Sequence, residues 1–129
     1  MSWTNDYVGI PYEINGREMD ALDCWGLVRQ VYKRELGFEL PSYAGYEHSL
    51  DSKAFTAAFE QERDMWKTVA VPEEYDVAWC RIVGVECHCG VMLANGRMML
   101  HAMEGQDICI VSTLTPVWQR RILRCYRLQ

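Results

Sequence analysis

Asn95-Gly96, set between the apolar runs 86–93 and 97–103, narrows the possible folds of this chain more than any other feature. An Asn-Gly pair in that setting predicts a two-residue type I′ turn, because both central positions need positive φ. Residue 94 then pairs with 97, and pairing runs down the ladder to Gly90–His101 and His88–Met103. Opposed residues share a sheet face, and side chains alternate with period two. His88, Gly90, His101 and Met103 are therefore expected on one face. The two histidines become diagonal neighbours, roughly 7–8 Å apart at the backbone and closer at their rings. Glycine at 90 leaves room for the His101 ring, and Cys87 and Cys89 are expected on the opposite face.

The first half of the chain has a different period. Leu27, Val28, Val31, Tyr32 and Leu36 recur at helical spacing, predicting a helix over about 23–36. Asp23 is its N-cap and Gly37 its stop. A second helix is expected over about 51–65, with Ser49 or Asp51 as cap. Residues 4–8 suggest one helical turn, and Asn15-Gly16 another turn. After Pro72 the pattern predicts strands at 77–83, 86–93, 97–103, 108–112 and 122–127. Helices followed by antiparallel strands read as an α+β fold.

A chain of 129 residues with no linker or repeat is expected to form a single domain, residues 1–129. The net charge of −5 disfavours a nucleic-acid partner. No apolar run approaches the roughly 20 residues of a membrane span. Residues 1–6 lack the basic and apolar regions of a secretory signal, which predicts synthesis in a cytosol without a signal peptide. Arg120, Arg121, Arg124 and Arg127 crowd the last residues, as a solvated strand face or a docking edge for an acidic partner. The six cysteines are expected to be free thiols, five of them packed as small hydrophobes. No Cys-x-x-Cys pair occurs, and Cys87-His88-Cys89 cannot converge on one ion from a strand, so no metal is expected.

The chemistry centres on Leu22-Asp23-Cys24-Trp25-Gly26-Leu27-Val28. It places a cysteine at a helix N-terminus, where the dipole favours the thiolate. His88 is expected to face Cys24, as a nearby imidazolium, as base, and later as proton donor to a leaving amine. His101 would hold the His88 tautomer by accepting its other N–H. The Cys24 backbone N–H can stabilise an oxyanion, and Tyr12 can add a phenolic donor. His48 has no such support and reads as a loop residue.

These residues resemble the NlpC/P60 family of cysteine peptidases. Gly9-Ile10-Pro11-Tyr12 is similar to its Gly-x-Pro-Tyr segment, and Leu22–Val28 to its nucleophile motif. Tyr75-Asp76-Val77 stands where the family often has Gly-Asp-Leu. His88-Cys89-Gly90-Val91 and Leu100-His101-Ala102 resemble its two histidine motifs, and Pro116 to Arg127 its closing strand. The resemblance implies a papain-like fold with N-terminal helices on a C-terminal antiparallel sheet. It implies Cys24 as nucleophile, His88 as base and His101 as orienter. Tyr12, Asp23 and Trp25 would stand at the substrate and the oxyanion. It further implies no cofactor, and cleavage of the peptidoglycan stem peptide, often between D-γ-glutamate and a diamino acid.

Trp25 replaces the serine common after the nucleophile, and Asp-Cys-Trp-Gly is the form associated with phage-tail members. The spacing from His88 to His101 is about one residue longer than usual. Together with the missing signal, this suggests a phage or prophage tail-tip enzyme acting in the host wall, with tail hub or tip proteins as partners. Two alternatives stay open. One is a structural tail-tip protein with little catalysis, and the other an acyltransferase or amidase on the same scaffold.

Overall fold

The computed structural model describes residues 2–43 and 63–129. Trp3–Asp6 form a 3-10 turn, capped by the Ser2 hydroxyl. Two short strands follow, β1 (Arg17–Glu18) and β2 (Ala21–Leu22), then helix α1 (Cys24–Leu36). A six-stranded antiparallel sheet fills the rest. It comprises β3 (Trp66–Val69), β4 (Val77–Ile82), β5 (Val85–Leu93), β6 (Met98–His101), β7 (Cys109–Ser112) and β8 (Ile122–Leu128). Its strand order is β3-β8-β4-β5-β6-β7. A six-residue helix, α2 (Pro116–Arg121), precedes β8. The expected α+β architecture is the observed one.

Helix α1 starts and stops where its residues dictate. The Asp23 carboxylate accepts the Gly26 N–H at 2.8 Å, and Gly37 closes the helix at φ 68°. Leu27, Val28, Val31 and Tyr32 pack on the sheet, while Leu36 stays 45% exposed. Gly26 is required by a close approach: a Cβ there would stand 2.0 Å from the Gly16 carbonyl oxygen. The β1–β2 hairpin thus lies backbone to backbone against the start of the helix. The hairpin is too short and polar to be read from the pattern.

The Asn95-Gly96 turn sets the register as its residues demand. Asn95 and Gly96 have φ of 56° and 87°, and the Ala94 carbonyl accepts the Arg97 N–H. Gly90 pairs with His101, and Leu93 with Met98. β4 meets an irregular neighbour on each side at one level. Opposite Cys80 and Arg81, β5 inserts Cys87 between His88 and Glu86. Opposite Trp79 and Cys80, β8 inserts Leu123 between Arg124 and Ile122. Each is a β-bulge, which bends its strand and breaks the alternation of faces.

The second expected helix, its caps and His48 fall largely on residues 44–62, outside the described residues. Its last residues, Arg63–Met65, form a 3-10 turn leading into β3. Helix α2 was missed. Its signal is local: Thr115 caps the helix and Pro116 occupies its first position. Three of the C-terminal arginines are engaged by neighbouring side chains, while Arg120 is exposed. Arg124 pairs with Glu86, Arg127 with Glu73 and Asp76, and Arg121 lies 4.9 Å above the Trp118 ring.

Candidate active site

Cys24 is the first residue of α1, so its backbone N–H has no intrahelical acceptor and points out of the helix end. The cap beneath it is heavily tied. The Asp23 carboxylate accepts from the Gly26 N–H, the Asn15 N–H at 2.8 Å and the Arg17 guanidinium at 2.7 Å. Asp23 is 1% exposed and fully engaged in holding the helix end. Trp25 is buried, donates its indole N–H to the Pro41 carbonyl at 2.8 Å and packs near Tyr43. Neither lines the cavity at Cys24. Both residues build the platform under the nucleophile.

That cavity, about 190 Å³, is lined by Tyr12, Cys24, Cys87, His88 and Glu104, with Ile82, Val83, Ala102 and Met103 completing its wall. It sits at the bulged end of β5, where the helix start and the sheet meet. Tyr12, Cys24 and His88 are therefore brought together. The Cys24 thiol lies 3.9 Å from the Cys87 carbonyl oxygen. Cys87 was expected on the face away from His88. The bulge places it with Cys80, Ile82 and Trp118 instead, on the wall of the cavity. Cys89 does lie on the opposite face, packed under α1.

His88 and His101 meet as the turn arithmetic requires. His88 Nε2 and His101 Nδ1 are 3.0 Å apart, with the rings nearly perpendicular. Both residues are buried. The space at Gly90 is used differently from the expectation. A Cβ there would meet Met99 Sδ at 2.6 Å, so the glycine admits the methionine, not the imidazole. Trp118 covers the pair, its ring centroid 4.9 Å from that of His101 and 6.1 Å from that of His88. Beyond it, His101 Nε2 stands 3.6 Å from Cys109 Sγ. Sequence reasoning missed this neighbour, although Cys109 pairs directly with His101 across β6 and β7.

Burial decides the charge of the pair. Desolvation, then the neighbouring His101 and Arg121, pushes His88 down to about 3. Desolvation and Arg121 push His101 down to about 4. Both imidazoles are neutral at neutral pH. The expected resting imidazolium beside Cys24 is thus replaced by a neutral ring with a lone pair, which is what a general base requires. Burial raises Cys80, Cys87, Cys89 and Cys125, so these thiols stay protonated and inert. Among the described residues no group of three or more His, Cys, Asp or Glu side chains is arranged to hold a metal ion.

Known proteins show the same arrangement of chain. The murein DD-endopeptidase MepS/murein LD-carboxypeptidase of Escherichia coli K12 is 25% identical over 118 residues. The match covers 90% of this chain and 54% of that protein, so the chain spans about half the length of this curated relative. The NlpC/p60 domain of the peptidoglycan hydrolase SagA superposes with a TM-score of 0.66 at 19% identity, covering 97% of this chain and 92% of that one. An NlpC/P60 family protein of Bacillus cereus ATCC 10987 gives 0.63 at 18% identity, covering 95% and 36%. These two share the fold. Residues 9–127 match the NlpC/P60 family over nearly the whole chain, from the segment carrying Tyr12 through both histidine strands, and the chain belongs to that family.

Proposed function

We propose that this chain is a cysteine peptidase domain that hydrolyses amide bonds of the peptidoglycan stem peptide through a thioester. The observation that carries this is the cavity shared by Cys24 and His88, with His88 Nε2 held by His101. That bond leaves Nδ1 as the free nitrogen of His88. In the reaction the Cys24 thiol gives its proton to Nδ1, and the thiolate attacks the scissile carbonyl carbon. The Cys24 N–H, at the positive end of α1, stabilises the oxyanion, and the Tyr12 hydroxyl borders the same space. The imidazolium formed at His88 protonates the leaving amine. Water, deprotonated by His88, then cleaves the thioester and restores the thiol.

The relative named as a murein endopeptidase and the family match support the substrate class. Within the stem peptide we assign the bond between D-γ-glutamate and the diamino acid. The Asp-Cys-Trp-Gly form of the nucleophile motif supports a place at a phage or prophage tail tip, alongside hub proteins, with action in the host wall.

Digestion of purified peptidoglycan by wild type and Cys24→Ala, with fragments identified by mass spectrometry, tests the reading. Stem-peptide fragments cut at the γ-glutamyl bond are expected from wild type alone. Equal fragments from both proteins, or none together with a Cys24 inert to iodoacetamide, would overturn it in favour of a structural component. For the location, particles released by prophage induction should carry the protein after gradient purification. Its absence from intact particles would remove the tail assignment and leave the peptidase.

A further inference from the structure

We propose that Cys109 is a positioning residue of this site, its sulfur accepting the Nε2 proton of His101 and so fixing the tautomer in which His101 serves His88. The inference rests on His88 acting as the base. Each neutral imidazole carries one proton and one lone pair. Two successive contacts define a chain of such choices: His88 Nε2 to His101 Nδ1 at 3.0 Å, and His101 Nε2 to Cys109 Sγ at 3.6 Å.

The chain can be polarised in two ways, and only one is productive. If His88 is to take a proton at Nδ1, its own proton must sit on Nε2. His101 Nδ1 must then be bare, so the His101 proton sits on Nε2, aimed at Cys109. In the opposite polarisation the Cys109 thiol donates to His101 Nε2, His101 Nδ1–H donates to His88 Nε2, and the His88 proton is forced onto Nδ1. That ring cannot accept from Cys24. The acceptor role of Cys109 therefore decides whether the base is loaded correctly. Its half-exposed position leaves the S–H free to turn towards solvent.

A thiol suits this place because it is uncharged. Burial raises the Cys109 thiol above its ordinary range, so it stays neutral. The charged and titratable groups facing His101 are His88 from β5, Cys109 from β7 and Arg121 from α2. None is an anion, and His101 stays uncharged. A carboxylate in the place of Cys109 would hold it as imidazolium.

Long-range proton–nitrogen correlation spectra of 15N-labelled protein at pH 7 read the tautomers directly. Wild type should show His101 with its proton on Nε2. Cys109→Ala should give a mixture, and Cys109→Ser should restore the wild-type form. A His101 proton on Nδ1 in wild type, or no change in Cys109→Ala, would overturn the proposal. This readout needs no turnover, so it separates failure of Cys109 positioning from failure of the peptidase reading. In turnover, Cys109→Ala should lower kcat about three- to tenfold with KM unchanged, the loss of one hydrogen bond. Cys109→Ser should recover most of that rate. Cys109→Asp should move the acid limb of kcat/KM to higher pH, which a mere packing role does not predict. Equal kcat for wild type, Cys109→Ala and Cys109→Ser would also overturn it.

Discussion

The two faces of the large sheet are made by the same strands from different kinds of residue. Under α1, Trp25, Leu27, Val28, Val31 and Tyr32 meet Trp79, Val91 and Leu100 in an aromatic and aliphatic core. On the reverse face Cys80, Cys87, Met92 and Met99 surround the histidines beneath Trp118 of the six-residue α2. The first face buries large rigid side chains under a thirteen-residue helix. The second is rich in sulfur and imidazole, soft groups that pack without fixing the fold strongly. The contrast teaches that stability and chemistry are assigned to opposite sides of one sheet. They join only at the cavity, where the helix start brings Cys24 to His88.

The contrast breaks first, and with the largest effect, if activity and stability do not separate. Cys24→Ala should lower peptidoglycan cleavage by at least about a thousandfold. Its melting temperature should stay within a few degrees of wild type, as calorimetry would show. Leu27→Ala, fully buried under α1, should behave oppositely. A loss of about 2–5 kcal/mol is expected in urea titration. The variant should keep its kcat while folded.

Acid sharpens the comparison. The folded values of His88 and His101 lie near 3 and 4, below the ordinary 6.5. Between those limits the unfolded chain binds protons that the native state refuses, so stability falls as pH drops from about 6.5 towards 4. The loss should be on the order of a few kcal/mol, shared by the coupled pair. Denaturant melts across that range should show it, and His88→Gln with His101→Gln should flatten the slope. A wild-type curve as flat as the double variant's would mean the reverse face is not closed to water. The smallest effect belongs outside both faces. Arg124→Ala removes an exposed pair with Glu86 and should cost about 0.2–1 kcal/mol, fading with added salt.

The centre of the site was legible because it depends on local rules. Asp23 and Gly37 bound α1, and Asn95-Gly96 fixes which residues of β5 and β6 face one another. The parts that escaped depend on tertiary context. Trp25 follows the nucleophile in sequence, yet helical geometry turns its ring into the core, where it donates to the Pro41 carbonyl. Cys87 was assigned its face by strict alternation, and one extra residue overrode that rule. Cys109 belongs to a strand four residues long, whose register to His101 no turn signal announced.

The bulge at Cys87 also constrains how the length of this chain can drift. At Asn95-Gly96 an added pair of residues would only lengthen a loop beyond the last ladder rung, leaving the histidines diagonal neighbours on one face. At Cys87 a single deletion would remove the bulge. Val85 and Glu86 would keep their partners Ile82 and Arg81 and their faces, but the wall of the cavity would lose the Cys87 thiol and the carbonyl that faces Cys24. The two ends of one strand thus tolerate opposite amounts of change. Variation between relatives of this chain should gather at the hairpin tip and avoid the bulge.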